Sequence, residues 1–239
     1  DYRSVRLWNA ELKPAGEITA FEGRVTALAF APDNQSLYTA DSQPAVRGTV
    51  RQWSVAERKP LADWVAHADS IYTLALSKDG KQLATAGGDE VATVWALADR
   101  KPRATLEGHQ GAVYGLAFKS DGDQLATVSA DHQLLVWDLK TKLKMTEVRV
   151  HKGGVTGLGW TPDDKAIVTS CEDGVARIFT EIQTHDGAQR SSTAKERKLA
   201  GGTGRLHAVA TSADAKRVVA GNHAGDVFIW EDNRLTATL

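Results

Sequence analysis

The sequence predicts an all-β chain, a β-propeller of four-stranded antiparallel blades with about five complete blades plus a half blade. Three observations carry that expectation. A histidine, a threonine, an aspartate and an aromatic residue return in the same order every 42 residues. Each unit is made of short β-rich runs separated by turn residues, which at this spacing marks strands rather than helices. A four-stranded sheet of this size cannot bury both of its faces alone, so neighbouring sheets must stack, and radial stacking also protects their edges.

The period is visible residue by residue. His67, His109 and His151 stand 42 apart, as do Thr85, Thr127 and Thr169, then Asp89, Asp131 and Asp173, then Trp95, Trp137 and Phe179. In the best-defined unit the runs are "AVYGLAF", "DQLATVS", "QLLVWDL" and "KMTEVRV", from Ala112 to Val150. The first two runs of each unit are joined by "APDNQ", "SKDGK", "KSDGD", "TPDDK" or "SADAK". Asp, Asn, Gly and Pro in these segments supply the backbone angles and local hydrogen bonds of a tight hairpin.

These units divide the chain into a half blade at 1–23 and blades at 24–66, 67–108, 109–150, 151–204 and 205–239. "SVRLWN" and "GEITAF" read as the third and fourth strands of the half blade, whose first two strands are absent. Two insertions break the period. "DSQPAVRGTVRQW" lengthens the middle hairpin of the first complete blade, and 183–198 is a polar excursion within the fourth.

The segment "EGHQGAVYGLAFKSDGDQLATVSADHQLLVWD", residues 107–138, closely resembles a WD40 repeat. The resemblance extends over essentially the whole chain and is strongest from 61 to 179. It implies that the His, Thr, Asp and Trp of one repeat form a hydrogen-bonded chain tying the strands of a blade together, and four such groups can satisfy one another's donors and acceptors. His67, Thr85, Asp89 and Trp95 match that pattern in full, as do His109, Thr127, Asp131 and Trp137. Phe179 removes the indole donor, so His151, Thr169 and Asp173 are expected to make a partial chain. "FEGRVTALAF" is too short to carry the histidine, and Gly202 stands where the last blade would place it. The outer blades are therefore expected to rely on packing. Because propellers of this kind close with six to eight blades, the chain reads as a segment of a longer array, closed by missing blades, a second copy or another domain.

Composition narrows the function. The 239 residues are 42% hydrophobic and 25% charged, with a formal net charge of -1, so there is no electrostatic footprint for nucleic acid or an anionic membrane surface. No apolar run approaches the roughly 18 residues of a membrane-spanning helix, and "DYRSVRLW" is not a signal peptide. The single Cys171 leans toward a reducing, cytoplasmic compartment; a chain that starts in mid-pattern leaves room for an upstream signal and a periplasmic or extracellular one. "NQS" at Asn34 fits a glycosylation acceptor and equally a hairpin turn.

The chemical readings fare worse than the structural ones. His67, His109 and His151 lie in different blades and do not converge on a metal. A catalytic triad is normally single, whereas this grouping recurs in three units. "AGGTGR" at 200–205 lacks the spacing of a phosphate loop and reads as a linker, and Cys171 reads as a small buried hydrophobe. No cofactor and no catalytic residue is called for.

The resemblance instead points to the narrow rim, where partners of such propellers commonly dock. Its positions here are Arg24 and Thr26, Ser70 and Tyr72, Ala112 and Tyr114, Gly154 and Thr156, and Arg205 and His207. Gly88, Ala130, Glu172 and His223 lie at the aspartate turns. These residues vary between units while the frame repeats, and Tyr and Arg are enriched at binding hot spots. The expected function is a non-catalytic interaction platform that holds a protein or peptide partner. The alternative is an accessory propeller of a larger enzyme, since "TADSQPAVRGTVRQW" also resembles propeller arrays found beside c-type cytochrome domains; no haem-attachment C-x-x-C-H occurs here.

Overall fold

The computed structural model describes residues 3–43, 45–182 and 194–239. Among these the regular structure is entirely β, arranged as one two-stranded and five four-stranded antiparallel sheets. The half blade pairs β1 (Val5–Trp8) with β2 (Pro14–Ile18). Blade I comprises β3 (Arg24–Phe30), β4 (Ser36–Gln43), β5 (Arg47–Ser54) and β6 (Pro60–His67). Blade II comprises β7 (Ile71–Leu76), β8 (Gln82–Gly87), β9 (Ala92–Ala96) and β10 (Lys101–Leu106). Blade III runs through β11 (Val113–Phe118), β12 (Gln124–Ser129), β13 (Leu134–Asp138) and β14 (Leu143–Val148). Blade IV is β15 (Val155–Trp160), β16 (Ala166–Cys171), β17 (Ala176–Thr180) and β18 (Lys195–Leu199), and blade V is β19 (Leu206–Thr211), β20 (Arg217–Asn222), β21 (Val227–Glu231) and β22 (Arg234–Thr238).

Within each blade the strands pair in chain order, and the first strands β3, β7, β11, β15 and β19 pack side by side as the inner wall. The turns behave as their residues dictate. Asp33, Asp79, Asp121, Asp163 and Asp214 each accept the backbone N–H two residues on, at 2.8 to 3.2 Å. The residue directly after the aspartate takes a left-handed φ of 55° to 73°, at Asn34, Gly80, Gly122, Asp164 and Ala215. Asn34 is thus a turn residue by conformation. Gly87 is needed for a different reason: a Cβ there would come within 1.8 Å of the Ser70 carbonyl oxygen.

Five apolar clusters fill the spaces between successive sheets. One joins Val5, Ile18 and Phe21 to Leu37 and Trp53 of blade I. The next joins Ala40 and Val50 to Ile71 and Leu83 of blade II, and a third joins Val94 and Leu106 to Leu125 and Trp137 of blade III. The others join blade III to IV and IV to V. Each sheet therefore obtains its core from its neighbours. The half blade covers only part of blade I, leaving Leu28 and Phe30 on the inner strand 50% and 46% exposed.

Two features differ from the expectation. The polar excursion ends earlier than its composition suggests, because Lys195–Leu199 pairs with β17 as the outer strand of blade IV. Charges at alternate positions of an edge strand remain solvated, so "KERKL" is compatible with a sheet; residues 183–193 lie outside the described chain. The lengthened hairpin of blade I is a continuous ladder from Ser36↔Ser54 to Gln43↔Arg47 rather than a loose loop. It is tied on one side by Arg47 to Glu22 at 2.6 Å and on the other by the Ala45 N–H to Asp69 at 2.8 Å.

Leu125→Ala, in the fully buried seam between blades II and III, is expected to destabilise by about 2–5 kcal/mol. Leu143→Ala, on an outer strand and 65% exposed, should stay within about 0.5 kcal/mol. Urea unfolding followed by tryptophan fluorescence separates the two.

Candidate functional site

Behind the rim, blades I to IV are braced by polar side chains bonded to one another. In blade II the Trp95 indole N–H donates to Thr85 Oγ1 at 2.9 Å, and Thr85 Oγ1 lies 2.8 Å from His67 Nε2. His67 Nδ1 lies 2.9 Å from the Asp89 carboxylate. A carboxylate can only accept, so Nδ1 carries the proton, Nε2 accepts from the threonine hydroxyl, and the hydroxyl accepts from the indole. Blade III repeats the chain from Trp137 through Thr127 and His109 to Asp131 at 2.9, 2.8 and 2.9 Å. Burial opposes ionisation of Asp89 and Asp131, yet hydrogen bonds from the histidines and backbone amides outweigh it and hold both carboxyls below their ordinary range.

Blade IV keeps only the middle of the chain. His151 Nε2 lies 3.1 Å from Thr169 Oγ1, and the Phe179 ring packs edge-on to the imidazole at 5.5 Å. Asp173 does not complete it. Arg177, 2% exposed, takes the carboxylate with both terminal nitrogens at 3.0 and 2.7 Å and holds Glu196 at 2.9 Å. His151 Nδ1 is left buried without a hydrogen-bond partner. Burial, reinforced by the Arg177 charge, lowers the His151 pKa from 6.5 to about 4. Asp173 is itself driven far down: the Arg177 hydrogen bonds, with backbone amides, overcome the opposing effect of burial.

The outer blades are not held by packing alone, contrary to the expectation. In blade I, Trp53 donates to Thr39 at 2.9 Å, and Asp41 is gripped by Arg51 at 3.1 Å and by the Gly23 N–H at 3.2 Å. The lengthened hairpin hides this group by changing its spacing. Arg51 and Arg177 occupy one position, opposite the blade's threonine and two residues before its aromatic. A guanidinium there supplies to the aspartate the donors that a histidine does not. In blade V the Trp230 N–H donates to the Ala200 carbonyl at 2.7 Å, and the Asn222 amide bridges Thr203 and Asp226.

The rim follows from a repeated irregularity. In every blade the pairing of first and second strands slips by one residue near its start. The extra residue of that bulge is Thr26, Tyr72, Tyr114, Thr156 or His207, and a bulge re-aims the side chain it carries. Tyr72 and Tyr114 are 41% and 38% exposed and face each other across the blade boundary with ring centroids 5.8 Å apart. Burial, the Asp69 charge and Tyr114 push the Tyr72 phenol up, which keeps its O–H as a donor. His207 meets His223 at 5.5 Å beside exposed Arg205, whose carbonyl accepts the His223 N–H.

The two threonines turn inward instead. Thr156 Oγ1 donates to the Leu206 carbonyl at 2.7 Å and Thr26 Oγ1 to the Ala40 carbonyl at 3.3 Å. Thr156 is half-buried, with its hydroxyl spent on this contact. Arg24 and Glu172 are exposed, whereas Ser70 is buried under the turn of Gly88 and Gly154 is buried. Cys171 is buried, its thiol pushed up to about 11 mainly by desolvation, and it donates to the Gly153 carbonyl at 3.3 Å. Ser129 does the same to Gly111 at 2.8 Å, so the thiol fills a serine's structural place. No cluster of three or more metal-type side chains forms among the described residues, and no helix there is long and apolar enough to cross a membrane.

Two measurements test the buried chains. Thr127→Val strands both the Trp137 N–H and the His109 acceptor and should cost about 2–4 kcal/mol; Thr169→Val strands only His151 and should cost about half as much. His151 favours the neutral form when folded, so the unfolded chain binds the extra proton between pH 6.5 and about 4. Its contribution is complete above pH 6.5 and is lost as the pH falls, by about 3 kcal/mol at and below pH 4. In urea titrations across this range, His151→Gln should flatten that part of the stability profile.

Comparison with known proteins agrees with this geometry. The family described as WD domain, G-beta repeat matches residues 13–54, 58–96, 100–138 and 142–180. Transducin beta-like protein 3 of Rattus norvegicus is 30% identical over 92 residues, 38% of this chain and 11% of that protein. Among solved structures, that of U3-55K superposes with a TM-score of 0.78 at 21% identity, covering 93% of this chain and 66% of the other. The RRP9 WD40 repeats give 0.78 and 21%, covering 93% and 65%. The chain thus spans about two thirds of the structures it resembles and a ninth of the curated relative. Matched repeats over more than half its length, in a fold shared with WD40 propellers, make this chain a member of the WD40 repeat family.

Proposed function

We propose that the chain is a non-catalytic platform that holds a protein or peptide partner on its inner rim, with Tyr72, Tyr114 and Arg205 as the leading contacts. WD40 propellers in general are protein-interaction scaffolds, and family membership supports that much here. The finer reading rests on one observation. Of the five bulged inner-strand positions, two adjacent ones carry tyrosines turned to solvent and in mutual contact, while the threonines at the same position are bonded inward. Two rigid rings with free hydroxyls give large contact area at small entropic cost. Arg205, His207 and His223 add donors further along the same rim. The exposed apolar side chains Leu28 and Phe30 lie on the blade I face that a further blade, a second copy or another domain would cover.

Affinity capture from the source organism's lysate tests this, with the wild type compared against a Tyr72→Ala, Tyr114→Ala, Arg205→Ala variant whose fold is verified by circular dichroism. A specific protein retained by the wild type and at least tenfold depleted on the variant is the expected result. Equal retention by both, or no specific protein on either, sinks the rim assignment.

A further inference from the structure

The outer strand of each sheet leaves one backbone edge without a strand partner among the described residues. Such edges invite added strands, and proteins blunt them with cations, proline or shortness. Four of the six outer strands carry cations and a fifth is short. β10 reads "KPRATL", β14 "LKMTEV", β18 "KERKL" and β22 "RLTAT", each with lysine or arginine, and β2 is a five-residue "PAGEI". The edge of β6 differs. It is eight residues long, reads "PLADWVAH" and has no lysine or arginine, and its one proline stands at the first position, before the stretch from Leu61 to Val65.

One face of β6 presents Leu61, Asp63 and Val65, with Leu61 57% and Val65 58% exposed. The equivalent positions of blade II are Arg103, Thr105 and Glu107. Asp63 makes no salt bridge among the described residues. Arg51 lies opposite it in the ladder but turns to Asp41 at 3.1 Å. At the far end of the strand the lengthened hairpin raises Val46, 64% exposed, beside a groove of about 490 Å³ that is also lined by Val65, Asp89 and Thr105.

We propose that the free edge of β6 accepts an extended peptide segment as a fifth strand, with a lysine or arginine set against Asp63 and aliphatic side chains two residues to either side. The cation neutralises Asp63, and the aliphatic residues cover Leu61 and Val65, one of them entering the groove beside Val46. Main-chain hydrogen bonds along the edge supply affinity and the alternating side chains supply choice. A second copy of the chain fits poorly. The antiparallel register that pairs Leu61 with Val65 places Asp63 directly opposite its own counterpart, and like charges so placed repel. The neighbouring registers set Asp63 against an aliphatic side chain.

The test is fluorescence anisotropy with the labelled peptide Ser-Thr-Val-Thr-Lys-Thr-Val-Thr-Ser and a twin carrying glutamate in place of lysine. The wild type is expected to bind the lysine peptide saturably and at least fivefold tighter than the twin. Asp63→Lys should reverse that preference, Val65→Lys should abolish binding, and Tyr72→Ala with Tyr114→Ala should leave it unchanged, which separates this site from the rim. Absence of saturation, equal binding of both peptides, or binding that survives Val65→Lys overturns the proposal. So does a wild-type dimer in light scattering that Val65→Lys dissociates, since the edge would then be a self-pairing surface.

Discussion

A single threonine hydroxyl in the second strand of blades I to IV stands at the centre of the structure. Thr39, Thr85, Thr127 and Thr169 are all fully buried, where an unpaired hydroxyl is costly. In blades II and III each accepts from an indole and donates to an imidazole, so one oxygen fixes the third strand against the second and the segment that precedes the first strand against both. That segment leads into the inner strand, and the inner strand carries the bulge. The position of a rim side chain is thus inherited from a hydrogen bond made deep in the blade. Sheets held in this way can stack with their aliphatic faces in register, which is what the five inter-blade clusters require.

The fold was legible because its signals repeat. Three units with identical spacing, each containing turn segments of the same chemistry, define strand order and sheet size without any one residue being decisive. The candidate rim was legible as a set of positions, through resemblance, but its chemistry was not. Thr156 and Tyr114 occupy equivalent places, and only the geometry reveals that one hydroxyl is spent on the Leu206 carbonyl while the other faces solvent. The polar ties of blade I were hidden by the hairpin, which moves Trp53 to 14 residues beyond Thr39 where other blades use ten. One signal was available in the sequence: arginine two residues before the aromatic, in "RQW" and "RIF", marks the blades whose aspartate is not held by histidine.

The edge of β6 illustrates a different limit. Its exposed aliphatic residues are ordinary when taken singly, and sequence alone cannot distinguish them from an inward face. Their meaning comes from comparing six outer strands in their registers, of which β6 alone is both long and without lysine or arginine. The same hairpin that conceals the brace of blade I also builds the wall of the groove beside this edge. One insertion therefore makes blade I unlike the others both inside and outside.

The shared position of Arg51 and Arg177 also orders the steps by which a repeat can diverge. Removing the histidine from a blade such as II takes from the half-buried Asp89 its side-chain donor and leaves it only backbone N–H groups, so that step taken first costs stability. An arginine acquired beforehand makes the histidine dispensable. Blade IV holds the halfway form, with Arg177 already on Asp173 and His151 still present with an idle nitrogen. Blade I holds the end of the path, an arginine and an aspartate with no histidine. The repeats of one chain thereby display, side by side, two ways of bracing the same sheet and an arrangement that contains parts of both.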